Sequence, residues 1–204
     1  MAGTVSARGT DTKGARTRGR ILDAAAAVFR RDGYAAISLA DIAAAADLKT
    51  GSLYFHFRTK DELVGAMLRR GIDLTLEQVR DAVRRCGPGA GADQRLRAAI
   101  EAHMAALHTQ GDYAAAVLRT IDQYPAEARA TYLPEQRSYH RYWRDLLLDG
   151  QRSGSVHPGV DAGVLAALIL GAMNSTWRAD RGGRTAAARV IAALTAMVGL
   201  PVAD

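Results

Sequence analysis

The sequence of 204 residues lacks several features, and each absence excludes a class of protein. Cys86 is its single cysteine, so no internal disulfide can form and a thiolate metal site would need other ligands. No run of about 18 apolar residues is present, so no segment is predicted to cross a membrane. The first twenty residues have no apolar centre and are not expected to be a secretion signal. These absences predict a cytoplasmic protein.

Groups that would support catalysis are also absent from the sequence. We find no nucleophile beside a base, no pair of carboxylates at useful spacing and no phosphate-binding loop. His103 and His108 are five residues apart and do not share a helical face, which argues against a zinc site. We therefore expect no enzyme activity, no catalytic residue, no metal and no cofactor.

Basic residues are unevenly distributed along the chain. Residues 1–60 carry ten Lys and Arg against five Asp, a net charge of +5, whereas the other seventeen basic and sixteen acidic residues leave 61–204 at +1. Charge on its own is equally consistent with a merely soluble basic surface. The asymmetry nevertheless favours a polyanion-binding head on a nearly neutral body.

Helical spacing of apolar residues runs through almost the whole chain. Residues 1–19 have no such pattern and are predicted to be a disordered basic arm. Residues 20–57 are predicted to form one long helix, a short helix, a tight turn and a second short helix. Further helices are predicted over 60–85, 93–109, 112–123, 135–152, 162–179 and 186–199. Because no stretch alternates as a strand does, the predicted fold class is all-α.

Capping residues support these helix limits. Ser38 with Asp41, and Thr59 with Glu62, have the spacing of a capping box. Asp161 can cap the helix that begins at 162. Each pair predicts where a helix begins.

Aromatic residues make up 6% of the chain, yet three of them follow one another closely in "GSLYFHF". The residues that precede them, Lys49 to Ser52, suit the start of a recognition helix, because they are small or polar and can approach base edges. Tyr54 and His56 can reach phosphates, and Lys60 begins a helix whose N-terminus favours an anion. Leu53 and Phe57 are predicted to face the core. Phe55 lies on the outer side and is left open between a sugar contact and a neighbouring helix.

These motifs resemble the DNA-binding domain of the TetR/AcrR family of transcriptional repressors. The matching segments are "ILDAAAAVFRRDGY", "SLADIAAAADLKTGSLYFHF" and "KDEL", between Arg20 and about Leu68, a quarter of the chain. The resemblance implies a three-helix helix-turn-helix head over 20–66 and a ligand-binding and dimerisation bundle over 67–204. The DNA contacts that the resemblance implies are Ser38, Ala40, Thr50, Gly51, Ser52, Tyr54, His56 and Lys60. Lys49 is added to them because its side chain can reach a phosphate or a guanine.

Ala40 departs from the family pattern, since many members carry a longer polar or basic residue there. Arginines of the N-terminal arm are expected to compensate by entering the minor groove or touching phosphates. These are Arg8, Arg16 and Arg18.

The resemblance also implies a homodimeric repressor that a small molecule releases from a palindromic operator. The apolar surface of the last two helices, 162–179 and 186–199, predicts dimerisation through them. The C-terminal region is similar to the branch that senses acyl-CoA thioesters of sterol or fatty-acid degradation, and a drug-like effector is the competing prediction. A DNA-binding dimer with no small-molecule response is the alternative function. Candidate pocket residues are His103, Met104, Leu107, Leu118, Ile121, Tyr139, Tyr142, Trp143, Met173, Asn174 and Trp177.

Overall fold

The structure is a computed structural model, and it describes residues 13–120, 124–125, 132–180 and 184–197. Side chains are described for these residues except 114, 117–120, 176–180, 184–187 and 197. All regular secondary structure in these ranges is α-helical, which confirms the predicted fold class.

The described helices follow the predicted order. The head contains α1 (Lys13–Asp32), α2 (Leu39–Ala45) and α3 (Thr50–His56), and α4 (Lys60–Arg85) leaves it. The body contains α5 (Ala92–Thr109), α6 (Gly111–Thr120), α7 (Leu133–Arg152), α8 (Ala162–Asp180) and α9 (Arg184–Met197).

The predicted caps fix several helix starts. Ser38 Oγ accepts the Asp41 N–H at 3.3 Å, and the Asp41 carboxylate accepts the Ser38 N–H at 2.8 Å. Thr59 Oγ1 accepts the Glu62 N–H at 3.1 Å. Asp161 accepts the Val164 N–H at 2.8 Å. Each bond satisfies an N–H that the first helical turn leaves without a partner.

The first helix begins earlier than predicted, which corrects the assignment of residues 13–19 to a disordered arm. Helix α1 starts at Lys13, one turn or more before the apolar pattern begins. The guanidinium of Arg18 lies 4.6 Å from the centre of the Phe57 ring, a cation–π contact with the end of α3. This tertiary contact holds the extra turns, and Arg18 is therefore an internal contact of the head. Arg8 lies outside the described residues.

The core of the head is completed by the body. Phe29, Leu53 and Phe57 are fully buried in it, as predicted for the last two. The same cluster includes residues from α6 and from beyond it: Tyr113, Ala116, Tyr124 and Tyr132. The head is thus packed against α6 rather than joined to the body by α4 alone.

Helix α4 crosses the predicted boundary at residue 66 without interruption and enters both cores. Its first half buries Leu63 and Met67 in the head, and its second half buries Leu76 and Val79 in the body. Ile72 packs against both clusters. The body core is centred on Trp143 of α7, which is fully buried. Among the described residues, no helix is long and apolar enough to cross a bilayer.

Candidate functional site

The N-terminal turn of α3 presents small and polar residues to solvent. Lys49 is the N-cap residue, and its side chain makes no capping hydrogen bond. Thr50, Gly51 and Ser52 are exposed beside it. A Cβ atom built on Gly51 would meet no atom within 4 Å, so packing within the chain does not require glycine here. This turn can therefore approach another molecule closely.

The aromatic cluster of α3 divides between core and surface. Leu53 is fully buried, whereas the side chain of Tyr54 is 51% exposed and that of Phe55 is 88% exposed. The Phe55 ring meets the half-buried His56 ring edge to face, with centroids 5.5 Å apart. At this exposure Phe55 does not pack against a neighbouring helix in the described part of the chain. Of the two alternatives left open for it, a contact with another molecule at the outer surface of α3 is favoured.

The turn between α2 and α3 is held by backbone contacts. Asp47 adopts a left-handed φ of 54°, a conformation that Asp and Asn tolerate better than most residues. The Leu48 N–H donates to the Ala43 carbonyl at 2.9 Å, and Arg20 of α1 donates to the Ala46 carbonyl at 2.8 Å. These bonds fix the direction of α3 relative to α2.

The two predicted contacts on α2 lie at its exposed start. The Ser38 hydroxyl is engaged in the capping box, where it donates to Asp41 at 2.6 Å. Hydrogen bonds from the Ser38 side chain and backbone lower the pKa of Asp41. Ala40 is exposed and offers only a methyl group. The start of α2 can add backbone and hydroxyl contacts to those of α3.

Lys60, the first residue of α4, uses most of its hydrogen-bond donors inside the chain. Its ammonium donates to the carbonyls of Tyr34 at 2.7 Å and Ile37 at 2.9 Å, and it stands 4.1 Å from the centre of the Tyr34 ring. An ammonium has three N–H donors, so one is left for an external acceptor. Lys60 is chiefly a residue that positions the start of α4.

Tyrosines connect the head to the body. Tyr34 donates to the Asp61 carboxylate. Burial of the Tyr34 hydroxyl and, to a smaller extent, this hydrogen bond raise the pKa of Tyr34 to about 12. Tyr124 donates to the Asp61 carbonyl at 2.7 Å and meets Tyr34 edge to face. Tyr113 of α6 donates to Asp23 of α1 at 2.6 Å. Burial and the same bond raise the pKa of Tyr113, so its hydroxyl stays protonated.

A cavity of about 160 Å³ lies in the body, between α4, α5, α7 and α8, with Tyr113 of α6 at one side. Its walls are mainly apolar, with a few uncharged polar groups. The described lining residues are Gly71, Ile72, Thr75, His103, Ala106, Leu107, Gln110, Tyr113, Gln136, Tyr139, His140, Leu170 and Asn174. The shape and composition suit a small organic molecule.

A histidine forms the polar end of this cavity. His103 Nδ1 lies 2.6 Å from the Tyr139 hydroxyl, and Nε2 lies 3.4 Å from Asn174 Oδ1. The His103 and Tyr139 rings stack, and the Trp143 ring meets both edge to face. Burial lowers the pKa of His103 to about 4 and raises that of Tyr139. Both side chains are therefore uncharged at neutral pH.

The sequence identified part of this cavity. His103, Leu107, Tyr139 and Asn174 were predicted and line it. Leu118, Ile121 and Trp177 lie outside the described side chains. The other four predicted pocket residues do not line this cavity: Met104, Trp143 and Met173 are buried in the body core, and Tyr142 lies under the Arg80 guanidinium.

Several lining residues were missed, and one of them had a signal. Gly71 interrupts a long helix, where glycine costs about 1 kcal/mol relative to alanine. A Cβ atom on Gly71 would lie 3.4 Å from Tyr113 Cβ and Cδ1, so the glycine makes room for that ring. The other missed positions, such as Gln110 and Gln136, have no distinguishing pattern in the sequence. Within the described part of the chain, no group of three or more His, Cys, Asp or Glu could hold a metal ion.

A basic three-helix head with a polar, exposed second short helix, joined to a helical body with a cavity, defines a helix-turn-helix regulator. The chain belongs to the TetR family: residues 21–67 match the family model for bacterial regulatory proteins of the tetR family, and residues 89–199 match that of the tetracyclin repressor-like C-terminal domain. It is thus a DNA-binding transcriptional regulator, and the expectation that it is not an enzyme is confirmed by its family.

Individual relatives extend the likeness over most of the chain. The transcriptional repressor KstR2 of Rhodococcus jostii is 31% identical over 147 residues, which are 71% of this chain and 70% of the relative. KstR2 of Mycobacterium tuberculosis is 29% identical over 161 residues, 78% of each chain. A structure of AibR with isovaleryl coenzyme A and operator DNA is 27% identical, with a TM-score of 0.72 over 91% of this chain and 99% of that one.

The depressed pKa of His103 predicts a loss of stability in mild acid. The unfolded histidine takes up a proton below about pH 6.5, whereas the folded one stays neutral down to about pH 4. The histidine should therefore lower the free energy of unfolding by about 2 kcal/mol between pH 7 and pH 5. Urea unfolding of His103→Gln at both pH values should lack this decrease. The exposed His157→Gln should keep it, and equal pH dependence in both variants would contradict the assignment.

Proposed function

We propose that the protein is a homodimeric repressor that binds a palindromic operator and leaves it when a small apolar or acyl-CoA-type effector enters the cavity. One observation carries this proposal: Tyr113, a wall of the cavity, is hydrogen-bonded to Asp23 on α1 of the head. A ligand that moves this ring acts directly on α1, the helix against which α2 packs. The KstR2 relatives are named repressors, and AibR is described with both a coenzyme A thioester and operator DNA.

The alternative is a DNA-binding dimer with no small-molecule response. It would be favoured by a body that is packed without a cavity. The cavity of about 160 Å³ and its contact with the head therefore support the effector-responsive repressor.

The head is proposed to dock its α3 N-terminus in the major groove. Lys49, Thr50, Gly51 and Ser52 would meet base edges and phosphates, with support from Ser38 and Ala40 at the start of α2. Tyr54 and His56 would touch the backbone of the DNA. Lys60 has one donor left for a phosphate, in addition to its two internal carbonyls.

Dimerisation is proposed through the last two helices, because α8 carries apolar side chains on its outer face. Val164 and Leu168 are one turn apart and are 55% and 58% exposed. Val160, which precedes the helix, and Leu148 of α7 are also exposed. A second copy related by a two-fold axis would bury this face, and it would place two heads on the two halves of a palindrome.

The DNA assignment predicts that Gly51→Ala changes stability and DNA affinity in opposite directions. The added methyl group meets nothing in the chain and favours the helix, so stability should hold or rise by up to about 1 kcal/mol. It would obstruct the approach of the backbone to DNA, so affinity should fall about fivefold or more. The operator is first selected from random duplex DNA with the unaltered protein, and binding is measured by fluorescence anisotropy. Gly111→Ala, also in a helix with open space, is the control; unchanged operator affinity in Gly51→Ala would count against this surface.

The interface assignment predicts that Leu168→Glu converts the dimer to a monomer, because a carboxylate would be buried between two apolar faces. Light scattering after size-exclusion chromatography measures the mass. The control is Phe55→Glu, which puts the same charge on an exposed apolar position of the head and should leave the mass unchanged. A Leu168→Glu variant of unaltered mass would exclude this face.

The coupling can be tested without knowing the effector, by filling the cavity wall at Gly71. Gly71→Val places methyl groups against the Tyr113 ring, as a ligand would, and should weaken operator binding by about fivefold or more. In a Tyr113→Phe background the ring no longer bonds to Asp23, so the effect of Gly71→Val should shrink at least about threefold in a double-mutant cycle.

Asp112→Asn is the matched control for this cycle. Asp112 also joins α6 to α1, through Arg30 at 2.7 Å, but it does not line the cavity. The effect of Gly71→Val should persist in that background. An equal effect in the Tyr113→Phe and unaltered backgrounds would rule out transmission through Tyr113.

A further inference from the structure

The cavity wall that the structure describes carries no charged side chain. Its polar residues are Thr75, His103, Gln110, Tyr113, Gln136, Tyr139, His140 and Asn174, and the Tyr113 hydroxyl is already bonded to Asp23. Thr75 donates to the Gly71 carbonyl at 2.9 Å and is satisfied within its own helix. At neutral pH His103 is neutral, and its protonation is about a thousandfold unfavourable. A buried anion would find no counter-charge among these residues.

His103, Tyr139 and Asn174 together hold more hydrogen-bond donors than they use. Their side chains carry four N–H or O–H hydrogens: one on the neutral imidazole, one on the phenol and two on the amide. Two contacts join them, and these two contacts use two hydrogens. Two hydrogens are therefore left over.

The surplus does not depend on the tautomer of His103. If Tyr139 donates to Nδ1, then Nε2–H donates to Asn174 Oδ1 and both amide hydrogens of Asn174 remain. If Nδ1–H donates to Tyr139, then Asn174 must turn its amide to donate to Nε2, and the Tyr139 hydroxyl and one amide hydrogen remain. In both arrangements the leftover groups are donors at the cavity wall, which is the complement of an acceptor oxygen.

The size of the cavity limits what can bring that oxygen. A cavity of about 150 Å³ holds one benzene molecule, and this one measures about 160 Å³. Tyr139 and His103 are 7% and 3% exposed, whereas Asn174 is half-buried, so the group lies mostly away from solvent with Asn174 as its more accessible member.

We propose that the cavity binds an uncharged group of about six to ten non-hydrogen atoms, whose carbonyl or ether oxygen accepts a hydrogen bond from the Asn174 amide, the donor that both arrangements leave over. This inference rests on the proposed function, for which it names the chemical class of the effector. The group is either a free molecule or the acyl end of a thioester whose charged part stays outside. A free carboxylate is rejected in both cases.

Four six-membered-ring probes separate these chemistries. Cyclohexanone has the oxygen, methylenecyclohexane replaces it with a CH₂ group, and cyclohexanecarboxylate adds a charge. Cyclohexanecarbonyl-CoA presents the ring and carbonyl as a thioester. Each probe is titrated against the full-length protein, and binding is followed by ligand-observed NMR. Cyclohexanone should bind at least about threefold more tightly than methylenecyclohexane, as expected for one neutral hydrogen bond. The carboxylate should not bind.

Isosteric variants assign the oxygen to its partner. Asn174→Leu, which keeps the approximate size of the side chain and removes its amide hydrogens, should remove most of the difference between cyclohexanone and methylenecyclohexane. Tyr142→Phe, which lies off the cavity, should leave it unchanged. Ala106→Leu, which fills the cavity, should abolish binding of every probe; circular dichroism checks that each variant is folded. Binding of the thioester with the same dependence on Asn174 would identify an acyl-CoA source, and binding of the ketone alone would identify a free molecule.

Three results would overturn the inference. These are equal affinity for the ketone and the hydrocarbon, tighter binding of the carboxylate, or no binding of any probe. Operator binding is measured on the same preparation. Its absence would refute the proposed repressor while the cavity chemistry still stood, whereas operator binding with the wrong ligand preference would refute only the present inference.

Discussion

Tyr113 of α6 packs between α1 and α4, and these contacts fix the position of the head against the body. Its ring lies against Gly71 of α4, and its hydroxyl bonds to Asp23 of α1. Because Tyr113 also belongs to the buried core of the head, the head and the body share core residues and are not joined by α4 alone. Tyr124 adds a second connection at the start of α4. Tyr113 therefore connects the body to α1 of the head at a residue that also forms part of the cavity wall.

Local sequence rules predicted most of the fold, since helix starts depend on residues only three positions apart. Ser38 with Asp41, and Thr59 with Glu62, are such cases. The start of α1 could not be predicted in this way. Its first turns are stabilised by Arg18 on the Phe57 ring, a contact between residues 39 positions apart in the sequence. The sequence of residues 13–19 contains no pattern that predicts this contact with Phe57.

The candidate DNA surface depends on local sequence, whereas the cavity depends on contacts between residues that are distant in the sequence. Most of the candidate DNA contacts, from Lys49 to His56, lie on or next to one short helix, so the sequence order and the helical repeat predict which of them are exposed together. The cavity is built from five helices, and Met173 has the same apolar character as Leu170 on α8, yet only Leu170 lines it. The difference depends on the rotation of each helix against its neighbours, which the sequence of one helix does not specify.

Two glycines show where the chain gives up helix stability for a close approach. Each costs its helix about 1 kcal/mol relative to alanine, but their surroundings differ. Gly71 is buried against Tyr113, so its lack of a side chain serves contact within the chain. Gly51 faces open space, so its lack of a side chain serves no internal contact. A glycine that packing does not require, at the exposed start of α3, leaves room there for the DNA contact proposed above. The same helix keeps Leu53 buried and Tyr54 exposed, so one short segment packs into the head on one side and leaves the other side open for the proposed DNA contact.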